Sequence, residues 1–268
     1  MKFTSRQLTF IILSAILLFS FTGFDRETSI SKKNSVSEID SLVTSDYNKQ
    51  WQQKVNSGAE NLGQLYTENA IKVHTDGKLS EGRGKISKYY KDNPHQIESI
   101  TTVKSIIAVL DSTTVYEIGR FATADQKELA HLILWREENG KLLREVELVA
   151  PLEETGHFKS EIDQRRTEWM TLCNAHNAKD LVANIYSENA LYYNHRPMIV
   201  GQEAIVTEYG YMNNPNYRLN LTPIIFKTIN ESLVFEIGQC SGSYPGNYVL
   251  VWQKNESGDW RIFFDSNI

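Results

Sequence analysis

Acids placed in matching positions are the first residues to weigh for chemistry. Glu147 and Asp265 stand late in two similar stretches near the ends of the two halves of the chain. If either faces a cavity, burial would raise its pKa, suiting it to acid–base work or to a hydrogen bond with a ligand. Glu68 and Glu188 recur within LYTENA (65–70) and IYSENA (185–190) and read as solvated residues at a helix end. The histidines at 74, 95, 131, 157, 176 and 195 lack the i, i+4 pairing of a helical metal site, so no metal is expected. There is no GxSxG, no HExxH and no paired CxxC. EGRGKIS (81–87) lacks the first glycine of a phosphate loop and carries Ile86 where Mg²⁺ needs Ser or Thr. No cofactor is expected.

Composition narrows the setting. The 268 residues are 41% hydrophobic and 23% charged, ordinary for a globular protein. Lys2 and Arg6 precede the uncharged run Leu8–Phe24, the pattern of a secretory signal over residues 1–24. An uncleaved N-terminal anchor is the alternative, so the chain is exported (periplasmic or secreted) or held to a membrane only by its N-terminus. Removing residues 1–23 takes away two basic side chains and moves the net charge from −5 to −7, which argues against nucleic acid. Residues 25–37 read as a flexible spacer. Cys173 and Cys240 either pair or remain buried thiols; spacing does not choose.

The elements that position these residues come twice. Around the two hexapeptides, EGRGKISKYY (81–90) faces VGQEAIVTEY (200–209), aligning Gly82 with Gly201, Ile86 with Ile205 and Tyr90 with Tyr209. VYEIG (115–119) faces VFEIG (234–238), and Trp135 faces Trp252. Chance does not keep that order, so the chain is two copies of one unit, 38–150 and 161–268, with a linker at 151–160. Ile39, Val43, Tyr47, Trp51 and Val55 form a helical stripe in the first copy. A second helix follows in each copy (59–67 and 179–187), ending in the repeated phrase, where Asn69 and Asn189 suit the left-handed residue that closes a helix. A strand, a short helix (85–91 and 203–212) and about four antiparallel strands complete an α+β unit with helices over one sheet face.

This layout, a helix, LYxENA, a strand, EGRxxI, a helix and a last hairpin around the tryptophan, resembles tandem SnoaL-like domains of the nuclear transport factor 2-like superfamily. The resemblance implies two cone-shaped domains, each a curved antiparallel sheet covered by about three helices. It also implies an acid–base residue four positions after the alanine of the repeated phrase, usually Asp. Here those positions hold His74 and Asn194, so both copies depart from the pattern. His74 can move protons near neutral pH, whereas Asn194 can only orient a polar ligand. Trp51 and Trp169 align on the first helix and could line the cavity mouth, although core packing is the commoner role. Tyr192 and Tyr193 make the second cavity the more aromatic one. The leading reading is a protein that binds a small apolar or aromatic molecule in a cone, with an acid–base enzyme (isomerase, cyclase or dehydratase type) using His74 as the alternative. A structural or interaction module is a third reading. Superfamily members often dimerise through their sheets, so the two units are expected to form an intrachain pseudo-dimer.

Overall fold

The computed structural model describes residues 36–108, 111, 113–195 and 197–267. The first copy opens with α1 (Val36–Asn56), a 3-10 turn at Leu62–Leu65, β1 (Tyr66–Val73), β2 (Leu79–Glu81) and α2 (Arg83–Asp92). Four long strands follow: β3 (Ile97–Ile107), β4 (Thr114–Thr123), β5 (Glu128–Glu138) and β6 (Lys141–Pro151). The second copy runs α3 (Lys159–Asn174), α4 (Ala178–Ile185), β7 (Tyr186–Tyr193), β8 (Ile199–Val200) and α5 (Gln202–Glu208). A 3-10 turn at Tyr209–Asn213 then leads into β9 (Leu219–Asn230), β10 (Leu233–Gly242), β11 (Gly246–Lys254) and β12 (Trp260–Asn267). The fold is α+β, with two six-stranded cone-like sheets ordered β2-β1-β6-β5-β4-β3 and β8-β7-β12-β11-β10-β9. Both sheets are mixed rather than wholly antiparallel, because β1 runs parallel to β6 and β7 to β12. A parallel neighbour needs a long crossover, and here the body of each unit supplies it. The expected signal or anchor (1–24) lies outside the described residues, as does the spacer apart from Val36 and Ser37, which begin α1. Among the described residues, no helix is long and apolar enough to cross a membrane.

Local departures from the sequence reading have local causes. The helix expected over 59–67 shrinks to a 3-10 turn, because Gly58, Ala59 and Asn61 hold φ of 86°, 58° and 56°. Left-handed residues in succession cannot continue a right-handed helix. The repeated hexapeptide does not close a helix either: Asn69 and Asn189 are exposed strand residues, and neither has a positive φ. Each phrase instead builds a bulge. Tyr66 pairs with Arg144 and Ile71 with Val146, so five steps along β1 answer two along β6; β7 and β12 repeat this with Tyr186–Ile262 and Leu191–Phe264. Ala70 and Ala190 are fully buried, and their carbonyls accept the N–H of Gly82 at 2.7 Å and of Gly201 at 2.8 Å. Those glycines hold φ of 85° and 87°, which explains why this letter survives in both copies.

Both faces of each sheet are covered. Trp51, Tyr66, Ile86 and Tyr90 pack inside the first cone, and Trp169, Tyr186, Ile205 and Tyr209 inside the second. The opposite faces meet each other, with Tyr116, Ile118 and Leu148 in one apolar cluster with Phe235, Ile237 and Phe264. Alternation alone would turn Glu117 and Glu236 to water, yet both are fully buried. Over residues 44–56 of α1 the buried face is Thr44, Asn48, Trp51 and Val55, while Tyr47 of the expected stripe is only half-buried and the side chains of Ile39 and Val43 lie outside the described ones. Asn48 is inside because its amide donates to Glu117 at 2.6 Å. Truncating Phe235 to Ala removes a fully buried ring from the shared cluster. It should destabilise the chain by about 3–5 kcal/mol. Urea unfolding followed by tryptophan fluorescence should show one transition moved to lower urea, not one cone unfolding ahead of the other.

Candidate functional site

Strand pairing sets equivalent residues side by side at the heart of each cone. Lys72 is the Cα partner of Glu147 across β1 and β6, and Tyr192 is the partner of Asp265 across β7 and β12. Two tyrosines reach the carboxylate in both cones. Tyr66 donates to Glu147 Oε2 at 2.8 Å and Tyr90 donates to Oε1. Tyr186 donates to Asp265 Oδ2 at 2.7 Å, and Tyr209 donates to the same oxygen. The neighbours then differ. Glu147 also bonds Lys72 Nζ at 2.9 Å and Arg144 Nη1 at 2.5 Å. In the second cone those two places hold Tyr192 and Ile262, and among the described residues no cation pairs with Asp265.

The electrostatics follow. Burial alone pushes the Glu147 carboxyl up, but Lys72 and Arg144, with the Tyr90 hydroxyl, hold it well below the usual carboxylate range. The raised pKa expected of Glu147 is therefore reversed, since burial supplied the cations along with the desolvation. For Asp265 burial prevails over the Tyr209 and Tyr186 hydroxyls, and its pKa rises from 3.8 to about 6. His74 lies just past β1, half-buried, with Nε2 3.0 Å from Ser80 Oγ; burial and then the Lys72 charge lower its pKa.

The cavities separate these residues. His74, Lys72, Tyr89 and Phe121 line a cavity of about 410 Å³ in the first cone, and Glu147 is not among its walls. His74 and Glu147 therefore do not converge as an acid–base pair. The second cone has a small inner chamber of about 40 Å³ walled by Trp169, Met212, Leu221, Tyr248 and Asp265. An outer vestibule of about 420 Å³ takes in Tyr192, Asn194 and Glu208. Tyr211, Cys240, Tyr244 and Asn267 border both spaces. Tyr192 donates to Asn267 Oδ1 at 2.5 Å, and Asn194 reaches only the vestibule, where its amide donates to Tyr192 Oη at 3.4 Å. Trp51 is a core residue, its indole N–H donating to Tyr66 Oη at 2.8 Å under the Arg144 guanidinium. Its counterpart Trp169 is different. Among the described residues, the buried Trp169 Nε1 and Asp265 Oδ1 have no hydrogen-bond partner, and both residues wall the inner chamber.

Several side chains at the candidate site escaped the sequence reading. Lys72 and Arg144 carried one available signal, charges set in the strand stretches AIKVH and LLREVEL with no copy in the second unit. Glu117 and Glu236, repeated inside VYEIG and VFEIG, are buried acids bonded by Asn48, His131 and Trp135 in one cone and by Arg166, Tyr248 and Trp252 in the other. Cys173 and Cys240 are free buried thiols, and burial pushes the Cys173 thiol up to about 12. Among the described residues no three His, Cys, Asp or Glu side chains gather as a metal site.

No protein-family model matches the chain, and no curated protein matches it. Solved structures do. A nuclear transport factor 2-like protein of unknown function from Shewanella oneidensis is 15% identical, covering 41% of this chain and 98% of its own, at a TM-score of 0.38. A domain of unknown function with a cystatin-like fold from Nostoc punctiforme is 16% identical, covering 42% of this chain and 77% of its own, at 0.37. A ketosteroid isomerase-like protein from Erwinia carotovora is 13% identical, covering 42% and 98%, at 0.35.

Asp265 gives the fold a measurable pH signature. Its folded pKa is raised, so its contribution to stability is complete below about 3.8 and is lost as pH rises through about 6. At about 1.4 kcal/mol per pKa unit this swing is on the order of 3 kcal/mol. Glu147 has the opposite sign, stabilising above the ordinary carboxylate range and losing that contribution as pH falls toward its depressed folded value. Asp265→Asn should therefore be more stable than wild type by about 1–3 kcal/mol near neutral pH, with the gap narrowing by about 2 kcal/mol on going to pH 4.5 and closing only below about 3.8. Urea unfolding at the two pH values checks this, and a gap independent of pH would refute the assignment.

Proposed function

We propose that this is an exported protein that binds a small aromatic or apolar molecule in its second cone, holding a hydroxyl of that molecule in the inner chamber. The observation carrying this reading is that, among the described residues, Asp265 Oδ1 and Trp169 Nε1 have no hydrogen-bond partner while both residues wall one chamber. A buried polar atom without a partner costs about 1–3 kcal/mol, and a hydroxyl both donates and accepts. A space of about 40 Å³ suits a single polar group rather than a whole ligand. The ligand body would then rest in the vestibule against Tyr211 and Tyr244, whose rings lie 5.5 Å apart. Export is supported by Lys2 and Arg6 ahead of the apolar run Leu8–Phe24.

Phenols test the proposal. At a hundred times its Kd, para-cresol should add about 2.7 kcal/mol and raise the melting temperature by several degrees, while toluene should do far less. Trp169→Phe keeps the ring and loses the donor, so it should weaken para-cresol about five-fold, near 1 kcal/mol. If no phenol moves the melting temperature and mass spectrometry finds no small molecule retained by the purified protein, the binding reading is wrong.

A second reading, an acid–base enzyme, is favoured by the Asp265 pKa of about 6, close to the range in which a proton-transfer group works at neutral pH. This shifts the best candidate from His74, whose ring is held by Ser80, to Asp265. Asp265→Asn separates the two readings. A binder keeps its ligand unchanged over time, whereas an enzyme loses turnover of that ligand by about 100-fold or more.

A further inference from the structure

We infer that the first cone accepts a different class of ligand from the second, an aromatic or apolar monocarboxylate held by Lys72. The inference rests on the reading of the cones as ligand chambers and concerns the chamber that this reading leaves unassigned. Its cavity of about 410 Å³ falls within the usual size of small-molecule sites and is walled by Tyr89, Tyr90, Phe121, Leu129 and Val149. Lys72 is the buried cation on that wall, only 3% exposed.

The bonding of Lys72 is incomplete. Its ammonium donates to Glu147 Oε1 at 2.9 Å and to Tyr90 Oη at 3.1 Å. An ammonium has three N–H groups; among the described residues the third makes no hydrogen bond, and the ammonium otherwise faces the Tyr89 and Tyr90 rings, each centred 5.0 Å away. Glu147 does not neutralise Lys72 alone, because it also carries Arg144 at 2.5 Å. The other buried acid of this cone, Glu117, is bonded by Asn48, His131 and Trp135 and makes no bond to Lys72. Glu147 is thus shared between Lys72 and Arg144, while Glu117 feels the Arg144 charge and gives Lys72 no hydrogen bond. A buried cation is stabilised by an anion that completes its hydrogen bonds, and a ligand carboxylate entering the cavity would do this at the third N–H.

The rim does not oppose such a ligand. Asp76, the acid on the cavity wall, is tied to Lys78 at 2.5 Å, and His74, His95 and Lys127 stand on the same wall, with Lys127 paired to Asp125. Apolar walls around a single buried cation, with Lys127 paired at the rim, select an organic carboxylate over a fully hydrated inorganic anion. The second cone has the reverse character, an acid at its base and Tyr192 where Lys72 would be.

Calorimetry of the purified chain with benzoate, benzamide and inorganic phosphate tests this. Benzoate should bind at least ten-fold more tightly than its neutral isostere benzamide, and phosphate more weakly than benzoate. Lys72→Met should lose the preference for benzoate. Leu129→Trp fills the cavity without touching the ion network and should abolish benzoate binding while leaving para-cresol binding in the second cone intact. That second variant decides the matter if Lys72→Met does not fold. Equal binding of benzoate and benzamide would overturn the carboxylate assignment while leaving the cones as ligand chambers, and so would phosphate binding as tightly as benzoate. Benzoate binding that survives Leu129→Trp would overturn the location. Absence of benzoate binding would overturn the proposal outright, and para-cresol binding in the same sample would show that the reading of the second cone is unaffected.

Discussion

At the matching strand pair of each cone lies a carboxylate that folding removes from water, Glu147 in the first and Asp265 in the second. A buried charge must be paired and hydrogen-bonded or must give up its ionisation, and the two cones take these two routes. Tyr66 and Tyr90, like Tyr186 and Tyr209, are oriented by the bond each makes to its carboxylate, and they carry β1 or β7 and the following helical segment with them. With Lys72 and Arg144 added, the first carboxylate stays ionised and becomes part of the scaffold. Without them, the second stays close to its protonation point and retains an unused oxygen.

The sheets impose the second constraint. Their outer faces pack together in one apolar cluster, so neither sheet has a free side on which to place a polar residue cheaply. Polar side chains on the central strands point into a cone, where they need partners. Glu117 and Glu236 occupy the same place in VYEIG and VFEIG and find different ones: neutral donors and a histidine in the first cone, the Arg166 guanidinium with Tyr248 and Trp252 in the second. Duplication kept the frame and let the interiors diverge, giving one chain two chambers of opposite electrostatic character.

Much of the frame was legible in the letters. The repeat, the order of elements, the glycines at Gly82 and Gly201 and the tryptophans on the first helices follow from spacing, because periodicity records which face of an element is buried. The candidate site was legible only in part. Matching positions single out Glu147, Asp265, Trp169 and Tyr192, but His74 stands at a rim rather than beside a buried acid, and Trp51 belongs to the core. Lys72 and Arg144 went unread as site residues because a charge in a strand normally signals a solvated face. The expected helix end at LYTENA failed for a related reason, since the asparagine that suits a left-handed cap also suits an exposed bulge.

The sequence by itself determined that this chain is two copies of one α+β unit, and it marked the position in each where an acid would sit. Only the tertiary structure decided what those acids are. Protonation depends on which charges lie within a few ångströms after folding, and Lys72 lies 75 residues from Glu147 along the chain while meeting it at 2.9 Å in space. Among the described residues, the absence of any such cation beside Asp265, the unpartnered Asp265 and Trp169 atoms and the size of each cavity likewise arise from packing across sequence distances that no local pattern encodes.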